Sequence, residues 1–225
     1  MCMKLFFNSF FVFLFLFCFP ALCKEIVNTY TVKSSGIKIG ILEWEIGIEK
    51  TKYTNKLNLK SEGFLSAIYS FRGEYFSEGF VEDEEFMPIK YYHSWKTKKI
   101  RKKMNLFFKN NSLLTLDQEP IEKENLRVDV FAIKQTKDPL SSFLQIIKGG
   151  EESLVVDGRR LYTMSARYGE GVSQTIVQIK DYFNLWADHK RSKFEKITYE
   201  KNSGDFLPSK IFIYFDGRVF KLEKN

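Results

Sequence analysis

The sequence predicts a mainly β protein: an antiparallel curled sheet or partly open β-barrel of about ten strands, with one or two short helices. Three observations carry this. Beyond residue 25, apolar and polar residues alternate in run after run, the period of half-buried strands. Asp157-Gly158 and Asp216-Gly217 each separate two such runs, as tight hairpins do. One segment, 138–148, has a clear helical period. A sheet of this size curls, closes or pairs face to face, so a two-sheet sandwich is the alternative.

The first 23 residues are a separate object. Lys4 precedes an apolar run from Leu5 to Phe19, Pro20 ends it, and Ala21-Leu22-Cys23 places small residues where a cleavage before Lys24 needs them. That is the plan of a secretory signal peptide. An uncleaved anchor in the inner membrane is the alternative, since a span needs about 20 residues. An acylated Cys23 is a third, weighed against the bulky Leu22 beside it. The cut assigns Cys2, Cys18 and Cys23 to the signal, so residues 24–225, read as one β-rich domain, contain no thiol. A chain of that length buries enough surface without disulfides.

Along the domain, Ile26, Asn28, Tyr30 and Val32 lead to a turn at Ser34-Ser35-Gly36. Ile37, Ile39 and Ile41 share one phase, and Leu42, Trp44, Ile46 and Ile48 take the other. The slip predicts a bulge at Gly40, with Glu43, Glu45 and Glu49 facing water. Tyr53, Leu57 and Leu59 mark a third strand. Phe64, Leu65, Ile68 and Phe71 have helical spacing. Phe76, Glu78 and Phe80 resume alternation up to the acidic turn at Asp83-Glu84-Glu85. Residues 89–95 and 104–108 flank the basic run Lys96 to Lys103, and Asn110-Asn111 turns the chain into Leu113 to Leu116. Asp138 as N-cap, Pro139 at the first helical position, and Leu140, Phe143, Leu144 and Ile147 on one face define a helix ended by Gly149-Gly150. The Asp-Gly pairs predict type I′ hairpins for 154–166 and 211–222. Strands at 172–186 and 193–201 join near Asp188-His189-Lys190.

Several of these patterns, taken in order, resemble an exported bacterial family known as domain of unknown function 3108. They are Gly36 to Gly40, Phe71-Arg72-Gly73, Asp138-Pro139-Leu140-Ser141, and Asp157-Gly158-Arg159-Arg160 leading to Tyr162. The resemblance covers about residues 28–168. It implies a β-rich protein of a Gram-negative envelope and brings no activity or catalytic residue with it.

The formal net charge is +7, with 35 Lys and Arg against 28 Asp and Glu. Most of the basic residues are Lys, in a chain rich in Ile, Asn and Phe, the profile of an A+T-biased genome, so basicity alone names no partner. His93 and His189 are the two histidines. Without Cys they make a poor metal set, and no cofactor is expected. His93 reads as a strand-surface residue. No Gly-x-Ser-x-Gly elbow is present, and no catalytic residue is assigned. Glu43 and Glu45 share a strand face at a spacing compatible with acid–base chemistry, and also with any exposed strand.

Three groups are candidate binding residues. Trp44, Phe76, Phe80, Tyr162 and Phe215 would line the inside of the barrel and hold a lipid-like ligand. Arg159, Arg160 and Arg218 flank the Asp-Gly turns and would form an anion-binding rim if those turns meet. Lys98, Lys99, Lys102 and Lys103 lie in the basic run, read as a hairpin solvated on both faces and suited to an anionic membrane surface. The expected protein is a monomeric, non-enzymatic envelope module that binds a lipid-like ligand or an envelope protein, not nucleic acid. A hydrolase of envelope glycans or lipids and an assembly factor are the alternatives.

Overall fold

The computed structural model describes residues 24–63, 66, 70–168, 174–186 and 194–225. The segment read as a signal peptide, with Cys23, lies outside the described residues. So do Phe64, Leu65 and Ile68 of the expected short helix, and the turn at Asp188-His189-Lys190.

Two antiparallel meanders build one sheet. The first runs through β1 (Lys24–Ser34), β2 (Ile37–Glu49), β3 (Lys52–Ser61), β4 (Phe71–Glu82), β5 (Glu85–Thr97), β6 (Arg101–Lys109) and β7 (Ser112–Glu119). A connection over 120–135 leads to β8 (Thr136–Lys137) and the helix α1 (Pro139–Ile147). The second meander is β9 (Glu152–Val156), β10 (Arg160–Tyr168), β11 (Gln174–Asn184), β12 (Phe194–Glu200), β13 (Lys210–Phe215) and β14 (Arg218–Lys224). The meanders join where β1 pairs with β14, Val32 opposite Leu222. At the far side β8 lies parallel to β9. There Ser112 bridges Lys134, and the Thr136 N–H donates to the Asn111 carbonyl at 3.0 Å. These contacts bring the edges together, so the sheet is a nearly closed barrel, as expected, and not a sandwich. The described strands number fourteen rather than about ten. One of them, β8, is a pair of residues with no alternation to read.

Local chemistry explains the breaks. The β1–β2 pairing shifts between Val32, opposite Gly40, and Lys33, opposite Lys38, leaving Ile39 as the extra residue of a bulge. A Cβ on Gly40 would fall 2.4 Å from the Lys60 carbonyl oxygen, so the β3 backbone excludes any larger residue there. Asp216 and Gly217 have φ of +51° and +69°, the two left-handed residues of a type I′ turn.

The other Asp-Gly pair departs from expectation. Asp157 does not take positive φ; Gly158 does, at +88°. The Asp157 carboxylate Oδ1 instead accepts the N–H groups of Arg159 and Arg160, both at 2.8 Å. This side-chain capping opens the connection into a four-residue loop between Val156 and Leu161, which pair across it.

Helix α1 plugs one end of the barrel. Ser141, Ser142, Phe143, Leu144, Ile146 and Ile147 are buried. Phe143 stacks on Trp44 at 6.0 Å and meets Tyr199 edge-on at 5.9 Å. At its N-terminus the fully buried Asp138 accepts from the Leu140 and Ser141 N–H groups at 2.8 and 3.1 Å. Its second oxygen accepts from the Ser77 hydroxyl at 2.9 Å and from the Ser141 hydroxyl. Tyr53 completes this network at 2.6 Å from Ser141 Oγ. At the other end, Tyr168 and Tyr199 donate to the Ile146 carbonyl and Lys201 to the Ile147 carbonyl, which satisfies acceptors that every helix end leaves open.

Candidate functional site

A barrel of eight strands is just filled by its own side chains, and one of 16 to 18 leaves an open channel. Fourteen strands enclose more space than one nine-residue helix fills. The remainder is a cavity of about 1200 Å³ above α1, whose floor is Pro139, Leu140 and Phe143. Its walls are mostly apolar: Leu42 and Trp44 of β2, Leu57 and Leu59 of β3, Tyr162 and Met164 of β10, and Ile211, Ile213 and Phe215 of β13 among them. The exposed Ile37 and Arg218 also line it, so it opens to solvent at the end where the β1–β2, β5–β6, β9–β10 and β13–β14 turns lie.

Three of the five aromatics expected inside, Trp44, Tyr162 and Phe215, line this cavity. Phe76 and Phe80 do not. On β4 the inner face is Phe71, Gly73, Tyr75, Ser77, Gly79 and Val81, and Phe76 and Phe80 point outward, Phe80 being exposed. Both phases of this strand carry aromatics, so alternation could not choose between them. Packing does. Ser77 must reach Asp138, and a Cβ on Gly73 would crowd the Trp95 ring at 3.1 Å. In place of the two Phe, the inner face adds Phe71 and Tyr75, with Trp95 beside them from β5. Phe71 and Trp95 stack at 5.2 Å.

The basic hairpin also needs correction. Its tip is as expected: Thr97 Oγ1 accepts from the Lys99 and Ile100 N–H groups, and Lys98 and Lys99 are exposed. Its two faces are not equivalent. Lys102 shares the inner face of β6 with Met104, Leu106 and Phe108 and lines the cavity. Lys103 turns outward and pairs with Glu119 at 2.8 Å. The segment is therefore not solvated on both faces, because the barrel wall continues to its last residues.

Arg159, Arg160 and Arg218 all line the same mouth. The β9–β10 loop is pressed against β6: a Cβ on Gly158 would lie 2.4 Å from the Met104 sulfur, and the Trp186 indole donates to the Gly158 carbonyl at 3.1 Å. This contact places Arg159 and Arg160 beside Lys102. Arg160 Nη1 lies 3.4 Å from Asp157 Oδ2, and Arg159 Nη1 lies 3.7 Å from Glu122 Oε2. Burial, then the Arg159 and Arg160 guanidiniums, lowers the Lys102 pKa.

His93 is a residue that strand reading misplaced. It shares the inner phase of β5 with Tyr91 and Trp95, lines the cavity, and has Nδ1 3.2 Å from the Tyr91 hydroxyl. Burial lowers its pKa to about 4; Asp157 opposes the shift, and Arg159, Arg160 and Lys102 add to it. The imidazole is thus neutral near pH 7. Glu43 and Glu45 lie on the outer face of β2, away from the cavity, with Glu45 paired to Lys56 at 3.1 Å.

Comparison with known proteins agrees with this architecture. The model of the family described as Protein of unknown function (DUF3108) matches residues 29–177, and the chain belongs to that family. Among solved structures, the fold is similar to a crystal structure from Brucella abortus described as a beta-barrel-like protein of domain of unknown function DUF1849. The TM-score is 0.50 at 9% identity, over 91% of this chain and 96% of the other. No curated protein matches the chain.

Proposed function

From membership of a family that supplies no activity, and from the cavity inside the barrel, we propose that this protein binds a lipid-like amphiphile with its apolar chain held above α1. The observation that carries the reading is the cavity itself. Its volume of about 1200 Å³ is at or above the roughly 300–1,000 Å³ usual for small-molecule sites. Leucine, isoleucine and aromatic side chains form most of its wall, and it opens at one end. An apolar void of that size is costly to leave as bare surface, because each Å² of apolar area withdrawn from water is worth about 25 cal/mol.

The reading includes a place of action. The segment 1–23 has the plan of a signal peptide, which supports work in the periplasm or elsewhere in the envelope, where lipid-like molecules are at hand. The exposed Lys98 and Lys99 at the rim suit approach to an anionic membrane surface. The role is carriage or sensing rather than catalysis.

The test is binding of N-phenyl-1-naphthylamine, an uncharged probe whose fluorescence rises in apolar surroundings. The mature chain should bind it with saturation. Leu57→Trp/Ile213→Trp, which fills the cavity from two walls, should weaken binding at least tenfold while the far-UV spectrum stays that of the wild type. Equal fluorescence from both proteins would place the probe elsewhere and remove the support for a cavity ligand.

A further inference from the structure

We propose that the amphiphile's head group is an anion, a carboxylate or phosphate, seated on Lys102, Arg159 and Arg160 at the cavity mouth. This rests on the cavity reading above and adds the chemical class of its ligand.

The first support is how the cluster is assembled. Its members come from two distant hairpins, and nothing in either hairpin alone requires them to meet. They meet because Gly158 lets the β9–β10 loop press on Met104, two residues from Lys102. Asp157 then fixes the loop by accepting both arginine N–H groups. The second is charge. Among the described residues that line the mouth, Lys102, Arg159, Arg160 and Arg218 are cations and Asp157 is the carboxylate, with Glu122 paired to Arg159. Like charges gathered at the entrance of an apolar cavity repel one another in a medium of low dielectric. The Lys102 ammonium registers that strain in its lowered pKa, caused first by burial and then by the two guanidiniums. An arriving anion relieves it.

The third is geometry. Each guanidinium is set by a carboxylate, Arg160 by Asp157 and Arg159 by Glu122. A planar fork of N–H donors fixed in this way suits the paired oxygens of a carboxylate or phosphate. The fourth is continuity with the apolar wall. Lys102 is the cross-strand partner of Trp95, whose ring stacks on Phe71 inside the cavity. A head on the cluster therefore continues directly into a chain along the wall. A neutral head would form no ion pair with the cluster, and a cationic head would add to the repulsion.

The experiment is displacement of N-phenyl-1-naphthylamine from the mature chain by four ligands of one chain length: hexadecanoate, hexadecyl phosphate, 1-monopalmitoylglycerol and hexadecyltrimethylammonium. One or both anions should displace the probe at a concentration at least tenfold below the glycerol ester and the ammonium. Which anion is the stronger separates a carboxylate from a phosphate source. In Lys102→Gln/Arg159→Gln/Arg160→Gln that preference should fall below threefold, and the affinity of the anions should lose most of its dependence on salt. Lys102→Arg, alone, should keep the preference. Lys56→Gln, on the outer face, controls for a general loss of positive charge and should also keep it. If the triple variant fails to fold, Lys102→Gln alone should reduce the preference at least threefold. Equal displacement by all four ligands would overturn the anionic head while leaving the cavity reading intact. Failure of the probe and of every ligand to bind would overturn both. A preference unchanged in the triple variant and in Lys102→Gln would remove the head from this cluster.

Discussion

His93 and Asp138 are both buried ionisable side chains, and burial acts on them with opposite sign. For His93 the folded state holds the imidazole neutral down to about pH 4, whereas the unfolded chain takes up its proton near 6.5. Between those values the unfolded state binds more protons, so stability falls as pH drops from 6.5 toward 4, by about 3 kcal/mol in all for this one group. The His93 resonances should titrate near 4, and in His93→Gln the fall in melting temperature between pH 7 and 4.5 should be smaller. A His93 midpoint above 6 would show a solvated ring and contradict its place in the cavity wall. For Asp138, burial raises the pKa against four hydrogen bonds that favour the carboxylate. Losing a solvated N-cap costs about 0.5–2 kcal/mol. Here Asp138→Ala also takes a charged acceptor from the buried Ser77 and Ser141 hydroxyls, which keep each other at 2.9 Å and Tyr53 at 2.6 Å from Ser141 Oγ, and a hydrogen bond to a charged group contributes about 1.5–3 kcal/mol. Denaturant unfolding of Asp138→Ala should therefore show a loss of about 3 kcal/mol or more. Asp138→Asn, which keeps an acceptor for the helix N–H groups, should lose less.

Among the elements, α1 was plain in the sequence because its signals agree: cap, proline, apolar face and terminal glycines all fall within 13 residues. The β2 bulge was plain for a similar reason, since a phase slip beside glycine admits few other structures. The phase of β4 was not. Phe76 and Phe80 alternate as well as Phe71 and Tyr75 do, and the choice lies in Ser77 and Gly73 meeting α1 and Trp95, contacts between segments far apart in sequence. The meeting of Lys102 with Arg159 and Arg160 was equally hidden, although Arg159, Arg160 and Arg218 read as an anion-binding rim wherever the two Asp-Gly turns meet. Its closure depends on Gly158 against Met104, 54 positions away. Phe143→Ala tests the plug. A buried Phe→Ala change costs about 3–5 kcal/mol. One side of Phe143 already faces the cavity, so the cost should sit near the lower end, about 3 kcal/mol, and unchanged thermal stability would mean that α1 does not pack on Trp44. The β5–β6 tip is tested apart from the cavity. Lys98→Gln/Lys99→Gln should reduce co-sedimentation with vesicles containing anionic lipid at low salt, each basic residue contributing about 1 kcal/mol near such a surface. Equal sedimentation of wild type and variant would exclude the tip as a membrane contact.

For the whole molecule, the two places where the meanders meet differ in strength. Between β1 and β14 the register runs from Tyr30 opposite Lys224 to Ser34 opposite Phe220. The Tyr30 hydroxyl adds a bond to the Pro208 carbonyl at 2.8 Å, and Lys33 meets Glu223 at 2.6 Å. Between β7 and β8 the described hydrogen-bonding contacts are the Ser112–Lys134 bridge, the bond from the Thr136 N–H to the Asn111 carbonyl, and the exposed bond from Asn111 Nδ2 to Gln135 Oε1 at 3.3 Å. Opening free energy varies across a structure with the number of bonds and the area that must be released, so the β7–β8 seam should open first, without global unfolding. The Thr136 amide, although buried, should exchange with deuterium at least tenfold faster than the slowest amides of β1 and β14. A cavity ligand sharpens the distinction. At 100 times its Kd a ligand stabilises the folded state by about 2.7 kcal/mol, which slows amides that exchange through global unfolding about 100-fold. For an uncharged ligand Thr136 should slow far less, because such a ligand makes no ion pair with Lys102, Arg159 and Arg160 across the seam and can stay on the opposite wall, which β1–β3 and β12–β14 provide. With saturating N-phenyl-1-naphthylamine, which carries no charge, equal slowing at Thr136 and along β1 would show that the barrel opens as one cooperative unit, and that ligand entry cannot use this seam.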